Sequence, residues 1–218
     1  MRMLKLSLLL VLVMALSSCQ NNKKTVNVSD EVKTDSSENL AGLVYKIDTF
    51  ASVIEWEGAE GLAAINTTHN GTMALYNGEL QVKDNELIGG KFKINLPSLK
   101  VLDIPAEKAG NAKLKRHLLS DDFFDVEKFK DAGFEITSIN KSGNDSLKIS
   151  GNLTLKGVSK NIDIMAKVTV SENEIQAETK QFYFNRKDWG MSYGTEKSLG
   201  DEMIRPEVGI KIKLLAKK

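Results

Sequence analysis

The chain has 218 residues, with 30 Lys and Arg against 29 Asp and Glu, a formal charge of +1, and a single cysteine. A balance this even removes the electrostatic argument for nucleic-acid binding. A lone thiol cannot close a disulfide within the chain.

The first segment reads as a secretion signal. Arg2 and Lys5 supply its positive start, and Leu6 to Leu16 is an almost unbroken apolar run. That run suits a signal h-region and falls short of the ~20 residues that a spanning helix needs. It ends in Leu16-Ser17-Ser18-Cys19, a tetrapeptide that resembles a bacterial lipobox. Removal of residues 1–18 and lipidation of Cys19 are therefore expected. At about 0.8 kcal/mol per buried methylene, two or three acyl chains would hold the protein stably on a membrane. Gln20 follows the cysteine where some lipoproteins have Asp. By analogy with lipoprotein sorting in enteric bacteria, this points to the outer membrane, facing the periplasm. Arg2 and Lys5 are the only charges in the signal, so the processed chain carries a formal charge of −1.

Residues 20–42 are polar, with isolated valines and no sustained period. Such a composition buries too little apolar surface to offset its ordering entropy, and it predicts a flexible tether. Residues 43–218 remain for one domain with a full core.

That domain alternates with a period of two. Phe92, Ile94 and Leu96 are interleaved with Lys91, Lys93 and Asn95. Leu147, Ile149, Leu153 and Leu155 are interleaved with Lys148, Ser150, Asn152 and Thr154. The pattern returns at Ile162, Ile164, Val168 and Val170, and again at Val208, Ile210, Ile212 and Leu214. One buried and one wet face describes an antiparallel sheet or barrel. Asn77-Gly78, Ser142 to Asp145 and Ser171 to Glu174 read as its turns. From about Pro105 to Leu119 the composition shifts to Ala, Lys, Leu and Glu, which predicts a short helix. Ser120 is placed to cap a further helical turn at Asp121-Asp122. One or two short helices cannot cover both faces of an open sheet, so about eight strands are predicted to close into a barrel. The interior of such a barrel holds side chains alone or one small ligand, and periodicity does not choose between them.

Three motifs in the second half choose. They are RHLLSDDFFDVEKF over Arg116–Phe129, GNLTLKGVSKNI over Gly151–Ile162, and FNRKDWGMSYG over Phe184–Gly194. In order and spacing they resemble the YceI-like family, and the resemblance spans roughly residues 43–218. It implies a single mainly β, eight-stranded antiparallel lipocalin-like barrel with one or two short helices. It also implies a bound isoprenoid, quinone or similar long apolar lipid, with no enzymatic cofactor, and a homodimer in some relatives. Three positions depart from the family pattern. Lys113-Leu114-Lys115-Arg116 stands where R-D is common before H-L, Lys130 stands for a proline, and Ala51-Ser52 stands for a histidine-serine pair. These changes bear on the ligand's head group more than on its tail.

The candidate ligand contacts follow. Phe92, Phe134, Phe182, Phe184, Trp56 and Trp189 would contact an apolar tail, or equally fill a dry core. His69, His117 and Arg186 would meet a polar end. His117 lies near Asp121 and Asp122, which invites acid–base chemistry, but no Ser or Cys nucleophile sits in a recognisable elbow. Packing and hydrogen bonding are its expected role. No HxH, HExxH or CxxC spacing supports a metal. A buried Arg186 is expected to pair with Asp188, Asp121 or Asp122, and otherwise with a lipid head group. Gly190 is expected to let the backbone turn sharply. The leading reading is a lipid-anchored envelope protein that stores or transfers an apolar lipid. Two others compete: an envelope interaction module with a side-chain-filled barrel and no lipid, and an enzyme acting through His69 and His117.

Overall fold

The computed structural model describes residues 23–33, 42–62, 65–143, 146–195 and 203–218. The signal segment and Cys19 lie outside the described residues. Among those described, the strands in chain order are β1 (Val28–Asp30), β2 (Leu43–Ile47), β3 (Val53–Leu62), β4 (Ile65–Lys83) and β5 (Glu86–Val101). Helix α1 (Ala109–Leu119) follows, then β6 (Asp131–Lys141), β7 (Leu147–Leu155), β8 (Val158–Val170) and β9 (Glu174–Thr179). The chain ends with β10 (Phe182–Asn185), a 3-10 turn over Arg186–Trp189, and β11 (Glu207–Lys217).

Eight of these strands close a ring of antiparallel neighbours. It runs β3, β4, β5, β6, β7, β8, β9 and β11, and returns to β3. Closure leaves the ring without free edges, as the scarcity of helix requires. The ladder registers give every long strand one inward row. On β7 that row holds Ile149, Leu153 and Leu155, all buried, with Gly151 between them. A Cβ on Gly151 would lie 2.3 Å from Phe134 Cζ, so the glycine makes room for that ring.

Two hairpins use two-residue turns with positive φ, at Asp84–Asn85 (52° and 61°) and Lys156–Gly157 (48° and 74°). Primed turns of this kind match the right-handed twist of the strands they join. Asn77-Gly78, expected as a turn, instead lies inside β4 beside a register shift between Leu75 and Asn77. The glycine serves close packing there, since an added Cβ would meet Ile47 and Phe92 side-chain atoms at 2.6 Å.

The two ends of the barrel differ. At the end bearing the turns β2–β3, β4–β5 and β8–β9, buried side chains such as Tyr45, Leu80, Ile149, Ile175 and Leu214 fill the interior. Tyr45 Oη donates across that floor to the carbonyls of Ser171 (3.2 Å) and Glu172 (3.1 Å). Helix α1 and, among the described residues, 186–195 and 203–206 border the other end.

The polar segment 20–42, predicted as a tether, is corrected over residues 23–33. Those residues form a strap in the barrel wall. β1 pairs antiparallel with β8, placing Val28 opposite Ile162. Thr25 bridges Tyr183 of β10 in parallel. The Val26 N–H donates to the Tyr183 carbonyl at 2.7 Å. Near its end, the Val32 N–H donates to Asn152 Oδ1 (3.1 Å) and Asn152 Nδ2 donates back to the Val32 carbonyl (2.7 Å). The strap thus fills the gap between β8 and β10 in the α1 half, with Val26 and Val28 packed on the core. The missing apolar period misled because the pairing partners already line the core, and the strap contributes mainly backbone hydrogen bonds.

Ser120 is also corrected. It closes α1 instead of opening a second helix, and its hydroxyl donates back to the His117 carbonyl at 2.8 Å. Residues 121–124 form turns that bring Phe123 into the core.

Candidate ligand-binding cavity

In the α1 half the interior is not filled. A cavity of about 140 Å³ runs inward between β3, β4, β5, β6, β7, β8, β10 and β11 and under α1. Its walls are almost wholly apolar. Phe92 and Phe134, with ring centroids 5.4 Å apart, form one side. Phe182 and Phe184 form another, and Leu114 and Leu118 of α1 reach in at the top. Trp56 lines the cavity and anchors its indole N–H on the Lys100 carbonyl at 3.2 Å. Trp189 does not line it. The ring is fully buried, stands edge-on to Phe184 at 5.0 Å and donates to the Leu153 carbonyl at 2.9 Å.

Polar groups gather at the α1 end. His69 lines the cavity; its Nδ1 lies 2.7 Å from Asp103 Oδ2 and its Nε2 3.4 Å from Glu60 Oε1. Asp103 also accepts the Asn70 N–H at 2.9 Å. Burial alone would raise the Asp103 carboxyl, but the Asn70 amide and His69 outweigh it and hold it below the usual carboxylate range. His117 lines the cavity as well, with Nε2 3.1 Å from Asp122 Oδ2. Its ring stands edge-on to Phe123 (5.0 Å) and Tyr193 (4.9 Å). The two histidines thus sit in separate carboxylate pairs, and among the described residues no Ser, Thr or Cys lines the cavity with them.

Arg186 differs from expectation. It is 2% exposed and pairs with none of Asp188, Asp121 or Asp122. Its guanidinium donates to the carbonyls of Met191 (2.5 Å), Tyr193 (2.6 Å), Ile204 (3.1 Å) and Arg205 (3.3 Å). It also lies over the Phe123 ring at 5.1 Å. Burial lowers its pKa to about 10, yet it stays charged at neutral pH. Four carbonyls and an aromatic face do the work of a carboxylate because residues 191–193 and 204–205 bring their carbonyls to the guanidinium. Gly190 permits the turn into residues 191–193 with a left-handed φ of 76°.

A family model described as the YceI-like domain matches residues 45–216. The chain belongs to the YceI-like family. Protein YceI of Salmonella agona is 32% identical over 144 residues, covering 60% of this chain and 72% of that protein. A UPF0312 protein of Vibrio parahaemolyticus is 27% identical over 128 residues, covering 56% of this chain and 65% of that relative's length. Among solved structures, BcnA of Burkholderia cenocepacia superposes with a TM-score of 0.61 at 16% identity, covering 78% of this chain and 99% of that one. A polyisoprenoid binding domain from Saccharophagus degradans, implicated in plant cell wall breakdown, superposes with a TM-score of 0.54 at 16% identity, covering 79% and 97%. At these identities the superpositions show the shared fold alone.

This YceI-like barrel therefore brings His69, Phe92, His117, Phe134, Phe182, Phe184 and Arg186 around one cavity and leaves Trp189 packed outside it. Sequence reasoning missed Leu114 and Leu118, which an apolar pair four apart in a helix could have marked as facing inward. It also missed Met191 and Ile204, which carry no periodic signal because they lie outside the strands.

Proposed function

We propose that this protein is an envelope lipoprotein that binds a long apolar lipid, isoprenoid or quinone-like, for storage or transfer. The observation that carries this reading is the apolar cavity in the α1 half, open beside a polar rim and blind at the filled end. Family membership and the fold shared with the Saccharophagus degradans domain support it. Apolar burial supplies the affinity, at roughly 25 cal/mol per Å², and the rim around His69 and His117 orients the polar end. Lipidation at Cys19, following the signal in residues 1–18, would hold the protein on a membrane, with the outer membrane facing the periplasm as the expected site. Residues 23–33 then shorten the leash: only three residues separate Cys19 from Lys23, where the strap begins.

The cavity volume of about 140 Å³ is close to the ~150 Å³ that holds a benzene-sized guest. A long chain therefore seats its leading units and displaces side chains at the mouth to admit the rest. The same modest volume favours the competing reading, a side-chain-filled interaction module. Titration with a short-chain isoprenoid quinone separates the two, because Trp56 lines the cavity. Saturable quenching of tryptophan fluorescence supports the carrier, and a signal unchanged up to the quinone's solubility limit sinks it.

A further inference from the structure

We infer that the outer face of α1 is a docking surface for an anionic phospholipid bilayer, which brings the cavity mouth against the lipid. The inference rests on the cavity as a lipid site and adds the surface through which it is loaded. One side of α1 is committed inward. Leu114 and Leu118 line the cavity, and Asn111 Nδ2 donates to the carbonyls of Val101 (3.1 Å) and Ile104 (2.6 Å). At about 100° per residue, Lys113 and Arg116 fall on the opposite half of the helix, and Lys115, half-buried, lies beside the inward stripe. Lys113 and Arg116 are exposed, as is Lys108 at the helix start. The helix contains no acidic residue. Among the described residues, none of these four cations forms an ion pair, whereas lysines at the filled end do: Lys141 with Glu86 (2.5 Å) and Lys217 with Asp48 (2.7 Å).

Apolar side chains ring the same end. Leu102 is 59% exposed and Val158 37%, and Tyr193 is 47% exposed while its ring rests against His117. Cations interleaved with exposed apolar and tyrosine side chains suit an anionic interface, where the charges meet head groups and the apolar groups enter below them. The processed chain has no positive charge overall, so the attraction is local to this face. An acidic protein surface would use the cations but leave the cavity mouth without purpose.

The test uses the chain from Lys23 onward, which contains every described strand and no lipid anchor. Its binding is measured to vesicles of equal parts phosphatidylglycerol and phosphatidylcholine, and to vesicles of phosphatidylcholine alone. Binding to the mixed vesicles only, weakening as salt is raised, is the expected result. The triple variant Lys108→Gln, Lys113→Gln, Arg116→Gln should bind about a hundredfold more weakly, at roughly fivefold per cation. The triple variant Lys83→Gln, Lys141→Gln, Lys218→Gln at the filled end should bind as the parent does. Equal loss in both triples, equal binding to both vesicle types, or no binding by the parent would overturn the inference. Quinone quenching in solution reports on the cavity independently. If it persists while vesicle binding is absent, only the docking surface fails. If vesicle binding persists without quenching, the cavity reading fails.

Discussion

Replacing Arg186 with leucine tests whether this residue holds the cavity mouth together. The substitution strips hydrogen bonds from the carbonyls of Met191, Tyr193, Ile204 and Arg205. A bond from a charged donor contributes about 1.5 kcal/mol. Against this, burial lowers the guanidinium pKa from 12.5 to about 10, which corresponds to a cost of about 3 kcal/mol. The four bonds outweigh that cost by roughly 3 kcal/mol, the expected destabilisation of Arg186→Leu. For a domain of this size each kcal/mol moves Tm by about 2–4 °C, so a fall of about 6–12 °C should appear in calorimetry. Hydrogen exchange should rise first in residues 190–195 and 203–206, because those carbonyls lose their common partner. Arg186→Lys keeps the charge but cannot span all four acceptors, and it should fall between the two. If Arg186→Leu melts within a degree or two of the parent with those residues still protected, the guanidinium is not their hub and the reasoning fails.

Three further outcomes are expected. Ala132 is 1% exposed and lines the cavity; Ala132→Phe should cost about 1–3 kcal/mol through overpacking and abolish quinone quenching while far-UV circular dichroism stays native. Asn152→Ala removes both bonds to Val32, so at about 1 kcal/mol each the strap should open roughly 30-fold more often, read by native-state exchange at residues 26–33. The third outcome concerns pH. Burial alone would raise the Glu57 carboxyl, but hydrogen bonds from Lys23, Gln181 and Tyr183 outweigh it and hold it below its ordinary 4.5. A carboxyl lowered in the folded state supports the strap fully above its unfolded value and loses that support as pH falls through its folded value. The Val26 amide resonance should therefore hold steady from neutral pH to about 5 and shift below it, and Glu57→Gln should remove that step.

The alternation at Leu147 to Leu155 made the inward row of β7 legible, because one buried face imposes a period of two whatever the neighbouring strands are. The DDFFD corner and the NRKDWG turn were legible as motifs, since each needs particular residues at a tight bend. The strap was not legible. Its partner Ile162 lies more than a hundred residues away, and two valines in a polar segment carry no period. The bonding of Arg186 was hidden for a different reason: backbone carbonyls leave no trace in side-chain composition, so a search for carboxylate partners pointed to Asp121, Asp122 and Asp188. Asn77-Gly78 shows how one dipeptide supports two geometries, a hairpin turn or a close strand approach, and only the packing of Ile47 and Phe92 decides. Alternation likewise marks which side chains face inward without saying whether they meet. In this barrel they meet at the filled end and stand apart under α1.

Native mass spectrometry of the chain from Gln20 onward, expressed in bacteria and purified without detergent, tests the central claim most directly. The account predicts a noncovalent adduct that releases an isoprenoid or similarly long apolar lipid on extraction, and that Ala132→Phe eliminates. A protein that is ligand-free as purified, and remains so after incubation with envelope lipids, would contradict it.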